Sequence, residues 1–288
     1  MDLAQAVVNG LLIGIIYGLI AVGLTLVFGV MDIVNFAHGE FLMLGMFGGY
    51  VASTQLGIDP LLAAPAVGII VFVFGALVER SIIEPIVKAP PVAQVMATVG
   101  LGLVLANGMA VWMGTDFRSV KTGYQGTSFG VVGLVIPATY LYAGIYSLVV
   151  AVLLALFLKR TEFGKAMRAT AQNRGAAELM GINPRRMYMV AFGIGVGLAA
   201  LAGSVILPYA LVFPSVGQQY VLIMFTVVVL GGLGSVRGAI FAGLTVGLIQ
   251  SLTTLVLPSE LQDLVVFAVF FAVLVLIPGG VMNRFRLA

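Results

Sequence analysis

Lys159-Arg-Thr-Glu-Phe-Gly-Lys-Ala-Met-Arg-Ala-Thr-Ala-Gln-Asn-Arg-Gly-Ala-Ala-Glu-Leu-Met-Gly-Ile-Asn-Pro-Arg-Arg186 decides how this chain is read. It is a polar island in a sequence that is 61% hydrophobic and 9% charged, with mean hydropathy +1.17. Of 14 lysines and arginines, Lys159, Arg160, Lys165, Arg168, Arg174, Arg185 and Arg186 fall inside it. Thr161 is suited to cap a helix with Glu162 at its positive end, and Asn173 to cap a second over Arg174 to Met180. Gly181 fits the left-handed residue that closes this second helix, and Pro184 prevents its resumption. The stretch is built as structure: one compact, basic, helical element, of the kind that docks a partner, on an otherwise membrane-embedded chain.

Outward from this element the sequence is apolar. Crossing lipid takes about 20 apolar residues, because the backbone must satisfy its own hydrogen bonds there. Spans are expected at roughly 6–28, 40–55, 61–79, 95–113, 141–158, 187–212, 220–237, 239–257 and 261–277, about eight or nine in all. The fold class is all-α, a polytopic integral membrane protein forming one transmembrane domain over residues 1–288, with residues 159–186 as its cytoplasmic loop. The N-terminal segment lacks the basic flank of a cleavable signal, and its apolar run continues to Val30. Cysteine is absent, which excludes disulfides and thiolate metal sites. The pI of about 9.3 reflects basic loops beside spans rather than a nucleic-acid surface. The same bias places Lys159–Arg186, the Arg80–Lys88 loop and the Arg284–Arg286 tail in the cytoplasm and the N-terminus outside. Nine crossings satisfy these placements; eight require a re-entrant segment or an internal N-terminus.

Glycine is abundant, 37 residues, and much of it lies within spans. Gly10, Gly14 and Gly18 share one helical face, and Gly193 with Gly197 repeats the spacing, as expected where helices pack closely. Two related halves are expected, each with a glycine-rich helix break: Gly29-Val-Met-Asp-Ile-Val-Asn-Phe-Ala-His-Gly39 and Gly231-Gly-Leu-Gly-Ser-Val-Arg-Gly238. Paired interruptions point to a transport pathway. The pattern does not distinguish parallel from inverted repeats.

Candidate pathway or gate residues are Asp32, Asn35, His38 and Glu40 at the first break and Gly232, Ser235 and Arg237 at the second. An ionisable group inside lipid costs roughly 2.5–3.5 kcal/mol on insertion scales, so it faces a cavity or a partner. The same residues also fit a wet turn at the membrane surface. Arg237 fits either a pairing with Asp32 or Glu40, contact with a solute carboxylate, or snorkelling to the interface. Glu79 and Glu84 around Arg80 read as a solvated ion-pair face. Asp116, Arg118, Lys121 and Tyr124 belong to a long outer connection, and Trp112, Tyr140 and Tyr142 to the interface. A single histidine makes a histidine metal site untenable. No Walker A, nucleophile-elbow or HExxH pattern occurs, so no catalytic residues are expected and ATP chemistry must come from another subunit.

Specific motifs then carry a family resemblance. Gly14-Ile-Ile-Tyr-Gly-Leu-Ile-Ala-Val-Gly-Leu-Thr-Leu-Val-Phe-Gly29 and Asp32-Ile-Val-Asn-Phe-Ala-His-Gly-Glu40 are the strongest. Thr161–Gln172, Leu179-Met-Gly-Ile-Asn183 and Val229-Leu-Gly-Gly-Leu-Gly-Ser-Val-Arg-Gly-Ala239 extend it over essentially the whole chain. The sequence resembles the smaller permease subunit of branched-chain (hydrophobic) amino-acid ABC transporters, and its fold is expected to be like that of a type II importer. The resemblance implies a bacterial or archaeal cytoplasmic-membrane subunit that moves branched-chain or other hydrophobic amino acids. Expected partners are a second, different permease, two cytoplasmic ATPases that hold ATP and Mg, and a periplasmic solute-binding protein. Under it, Glu162, Gly164, Arg168, Ala169 and Gly181 become coupling residues toward an ATPase, with Ala166, Ala169 and Ala177 as a low-profile surface. Family members often have an acidic residue after the glutamine; Asn173-Arg174 stands here instead. An ion-coupled secondary carrier, a passive scaffold, and a related permease for amides, urea or aromatic acids are the alternatives.

Overall fold

Each of the nine apolar segments contains a helix, since an apolar run in lipid must pair its backbone internally. The computed structural model describes residues 2–131, 133–258 and 261–276, and the Arg284–Arg286 tail lies outside them. In order these helices are α1 (Asp2–Met31), α2 (His38–Leu56), α3 (Pro60–Val78), α5 (Pro91–Met113), α6 (Ala138–Arg160), α9 (Pro184–Ile206), α10 (Val216–Gly231), α11 (Val236–Thr253) and α12 (Gln262–Leu276). A π turn over Glu79–Ile83 and the single turn α4 (Glu84–Ile86) prolong α3. Between Thr161 and Asn183 lie α7 (Glu162–Gln172) and α8 (Arg174–Leu179). Six of the helices are long and apolar enough to cross a membrane, and α10 and α12 are shorter apolar helices.

Two expected boundaries move. The 187–212 segment stops at Ile206, because the chain turns at Leu207-Pro208 and loops to Ser215 before α10 begins. The 220–237 segment stops at Gly231, where Gly232 and Gly234 take positive φ of 85° and 81°. One small element departs from the all-α expectation: β1 (Ser128–Val131) pairs antiparallel with β2 (Leu134–Pro137) in the long outer connection.

Contacts order the two ends of the bundle. At one end, Val135 donates its N–H to Gln5 and accepts from it in return (2.8 and 2.7 Å). Tyr124 donates to Asp59 (3.1 Å), Gln125 to the carbonyl of Pro208 (2.6 Å), and Arg118 bridges Val212 through the backbone. Burial, with the Asp59 carboxylate beside it, pushes the Tyr124 phenol above its ordinary range. The other end gathers Arg80, Lys88, Arg237 and the whole of Lys159–Arg186, with Glu84 paired to Arg185 at 3.2 Å. The charge asymmetry between the two ends is strong, and the positive-inside bias expects such a basic end to face the cytoplasm.

Glycine sets how the spans touch. Gly10, Gly14 and Gly18 of α1 meet Gly247, Gly243 and Ile240 of α11, antiparallel and backbone to backbone. Gly68 of α3 meets Gly197 of α9 in the same fashion. At the centre, a Cβ on Gly23 would sit 2.5 Å from the Gly195 carbonyl, and one on Gly195 2.7 Å from that of Gly23. Small residues thus serve close packing, as the spacing predicts.

The same contacts reveal how the halves are related. α2 runs parallel to α9, with Gly45 against Ala200 and Gly49 against Ser204, so α2 starts level with Gly195. Gly195 lies about 17 Å along α9 from Pro184, near the middle of the membrane. α10 starts at that same level, because Gly39 and Gly217 press their backbones together, and it runs toward the basic end, where Gly231 meets Gly238 and Gly29 meets Gly234. Hence α1 descends, the chain turns back through residues 32–37, and α2 climbs from mid-depth; α9 ascends, the chain turns back through 207–215, and α10 descends from mid-depth. α3 then packs on α9 as α11 packs on α1. The repeat is inverted, α1–α3 against α9–α11. The structural counterpart of the first break is therefore the 207–215 turn, whereas Gly231–Gly238 is a separate turn at the basic end.

Candidate functional site: a mid-depth junction and a basic helical element

At the first break α1 ends at Met31, and Asp32 adopts φ 57°, the left-handed conformation that Asp tolerates better than most residues. Asp32 is exposed, so the wet-turn reading holds for it. It does not hold for Asn35, His38 and Glu40, which the returning chain carries up to the junction and buries. Asn35 accepts the Ala37 N–H (3.1 Å), fixing the turn that launches α2. Among the described residues, its amide nitrogen, both ring nitrogens of His38 and Oε2 of Glu40 have no hydrogen-bond partner. Buried polar atoms are normally paired, so this cluster at mid-depth is the candidate polar station of the fold.

Neither helix start at the junction has a side-chain cap: Ala37 precedes α2, and Ser215 contributes no side-chain bond to α10. Their leading N–H groups, and the positive ends of both helix dipoles, converge on one level. Glu40 opens there into a cavity of about 300 Å³ with Phe36, Gly102, Gln218 and Val221. The cavity faces outward between α5 and α10, whose Val99, Leu103 and Leu222 flanks are exposed. Gln218 and Gly102 were not legible as site residues, since neither belongs to a polar cluster in sequence. Nor was the tyrosine group nearer the outer end: Tyr140 packs on Tyr209 (4.5 Å), and Tyr17 donates to Gln250 (2.8 Å). Tyr140 is half-buried against Tyr209 in the first turn of α6, while Trp112 is exposed.

Gly232 and Ser235 shape the second turn: Gly232 supplies positive φ, and Ser235 caps α11 by accepting the Gly238 N–H (3.1 Å). Arg237 is exposed and pairs with neither Asp32 nor Glu40; the junction lies well above it in the membrane. The Glu79–Arg80–Glu84 face also differs from expectation. Glu79 is buried with Oε1 unpartnered, and Glu84 bonds Arg185 from the neighbouring loop instead of Arg80.

The basic element follows its cap signals closely. Thr161 accepts the Gly164 N–H (3.0 Å), and Asn173 accepts that of Ala176 (3.0 Å). Gly181 takes φ 82°, and Ile182 N–H returns to the Ala177 carbonyl (3.0 Å), closing α8. Asn183 then caps α9, so Pro184 begins that helix as well as ending the loop. Glu162 is exposed and bonded to Lys165 at 2.8 Å. Gly164 is buried against the carbonyls of Phe157 and Leu158, which seats α7 under α6 and gives Gly164 no surface of its own. Ala169 is half-buried, and Ala177 is buried, so Ala177 packs rather than presents a surface. Arg168 lines a cavity against α1 and α11 and does not stand at the tip of the element. The tip belongs to Leu179 and Met180, 90% and 82% exposed, which a hydrophobicity reading passes over in so apolar a chain. Among the described residues no three His, Asp or Glu side chains gather as a metal site.

Residues 6–274 match the family described as the branched-chain amino acid transport system permease component. The chain belongs to that family. Among curated relatives, the high-affinity branched-chain amino acid transport system permease protein BraD of Pseudomonas aeruginosa is 32% identical, covering 97% of this chain and 95% of the relative. The permease protein LivH of Escherichia coli K12 is also 32% identical over the same shares. A ribose import permease of Haemophilus influenzae is 28% identical over 90% of this chain and 80% of its own length. No solved structure matches significantly. As a member of this permease family the chain is a multi-pass membrane transport subunit and not an enzyme.

Proposed function

We propose that this chain is the membrane-spanning permease of an ATP-driven importer for branched-chain or other hydrophobic amino acids, in the cytoplasmic membrane of a bacterium or archaeon. The observation that carries this reading is the full-length relationship to permeases of that name, in a chain whose basic end bears a rigid, capped helical element. A second, different permease pairs with it, a periplasmic binding protein delivers the solute, and two cytoplasmic ATPases hold ATP and Mg. Leu179 and Met180 seat in an apolar socket of one ATPase, while Gly164 and Gly181 set the angle at which α7 and α8 reach it and Glu162 with Ala169 sets register. The mid-depth junction is the solute station. Its uncapped helix starts suit the α-carboxylate, Glu40 suits the α-ammonium, and Asn35 and His38 hold the turn beneath. The 300 Å³ hollow opens on the face where the second permease closes it.

Reconstitution tests the reading. Proteoliposomes with all partner subunits and ATP should accumulate leucine, and those with this chain alone should not. Leucine uptake by the chain alone would make it a secondary carrier; uptake of a sugar or an amide but not leucine by the full complex would move the solute class.

A further inference from the structure

Lys159 at the end of α6 and Arg168 in α7 belong to one stretch of chain and Arg237 to the first turn of α11, yet all line one cavity of about 470 Å³. No acidic residue lines it. Among the described residues the ion pairs are Glu162–Lys165, Arg174–Glu178 and Glu84–Arg185, so none of the three cations has a carboxylate. The positive end of α11 opens on the same space, since Ser235 and Val236 line it too. The floor is apolar, built from Leu26 and Val30 of α1 and Ala155 and Leu158 of α6. Beside it, Leu153 and Leu156 of α6 and Phe241 of α11 are exposed, so the cavity's flank is lipid-facing. Three like charges around one hollow raise the positive potential there.

We propose that this cavity binds an anionic glycerophospholipid of the cytoplasmic leaflet. Its phosphate sits among Lys159, Arg168 and Arg237, and an acyl chain runs over the apolar floor and out along the α6–α11 flank. A free phosphate would gain from the cations but cover none of the exposed apolar flank of Leu153, Leu156 and Phe241, which is why the lipid is the better fit. Met167, Arg168 and Ala171 belong to α7, so the lipid clamps that helix to α1 and α11. The charge of the leaflet then sets how firmly the basic element is held, independently of which solute is carried.

The test uses the full complex in mild detergent, with bound lipid read by native mass spectrometry during titration with phosphatidylglycerol or phosphatidylcholine. Phosphatidylglycerol should be retained selectively, and Lys159→Gln or Arg237→Gln should each weaken retention about five-fold. Retention should also fall with added salt in the unmodified complex, a measurement that stands even where a variant fails to assemble. Arg237→Lys should keep the lipid. Equal retention of both lipids, unchanged retention with Lys159→Gln and Arg237→Gln combined, or salt-independent retention would overturn the proposal. Displacement by inorganic phosphate at concentrations matching phosphatidylglycerol would also overturn it, leaving a free-anion site. Every arm reads lipid rather than transport, so failure of the amino-acid reading leaves the result intact.

Discussion

The mid-depth junction and the turn that closes α8 in the basic element use glycine for opposite ends. At the junction Gly23, Gly39, Gly195 and Gly217 are needed because nothing larger fits between two backbones. In the basic element Gly181 has open space around it and is needed for its φ of 82° alone. The junction is specified by what its residues lack, and the element by the hydrogen bonds and charges its residues carry. Two regions of one small protein can therefore be equally well defined while only one announces itself through polar side chains.

The sharpest way to break this contrast is to add atoms. Gly45→Val, which drives a side chain into the backbone of Ala200, should abolish assembly, beyond the about 1–3 kcal/mol of ordinary overpacking. Gly100→Ala and Gly108→Ala, with nothing within 4 Å, should raise thermal stability in detergent slightly or leave it unchanged. Equal tolerance at all three positions would dissolve the distinction. Next in size, Leu179→Ser with Met180→Ser should insert normally but lose the ATPase subunits on purification, each side chain forfeiting about 1.5–3 kcal/mol of burial at that interface. Retention of the ATPases would remove the tip from the docking surface.

Glu40→Gln should then cut leucine uptake about ten-fold or more, the loss of one charge-assisted contact, whereas Asp32→Asn should leave it near normal. Similar effects at both would mean that burial at the junction does not separate them. Gly181→Val should cost about 1–2 kcal/mol through backbone strain and shift the element's susceptibility to limited proteolysis, with no change in the spans. Smallest, Glu162→Ala breaks an exposed pair with Lys165 and should alter stability by only a few tenths of a kcal/mol. A larger effect on ATPase stimulation with unchanged stability would assign Glu162 to the partner contact.

Local signals were legible and tertiary ones were not. Thr161, Asn173 and Gly181 act within three or four residues of themselves, so their caps could be read directly from sequence. The nine apolar runs are equally local. The break at Asp32–Ala37 was visible, but its depth was not, because depth follows from α2 lying parallel to α9 with Gly45 on Ala200. For the same reason, the matching turn at 207–215 lay hidden inside what reads as a span, while the glycine-rich Gly231–Gly238 attracted the comparison. His38 and Glu40 could be singled out by residue type. That Asp32 is exposed while they are buried, and that Arg168 and Arg237 line one cavity, depends on how the helices stack.

Gly23 against Gly195 and Gly39 against Gly217 are contacts between equivalent positions of two inverted halves, and so they lie close to the pseudo-twofold axis. Points on such an axis stay put when the halves trade conformations, while everything distant from it swings. A fulcrum should be the one part of a lever that cannot yield, and a backbone-on-backbone contact with no rotamers to rearrange has that stiffness. If opening to one side is the mirror of opening to the other, the least compressible spot in the molecule is also the one that neither stroke displaces.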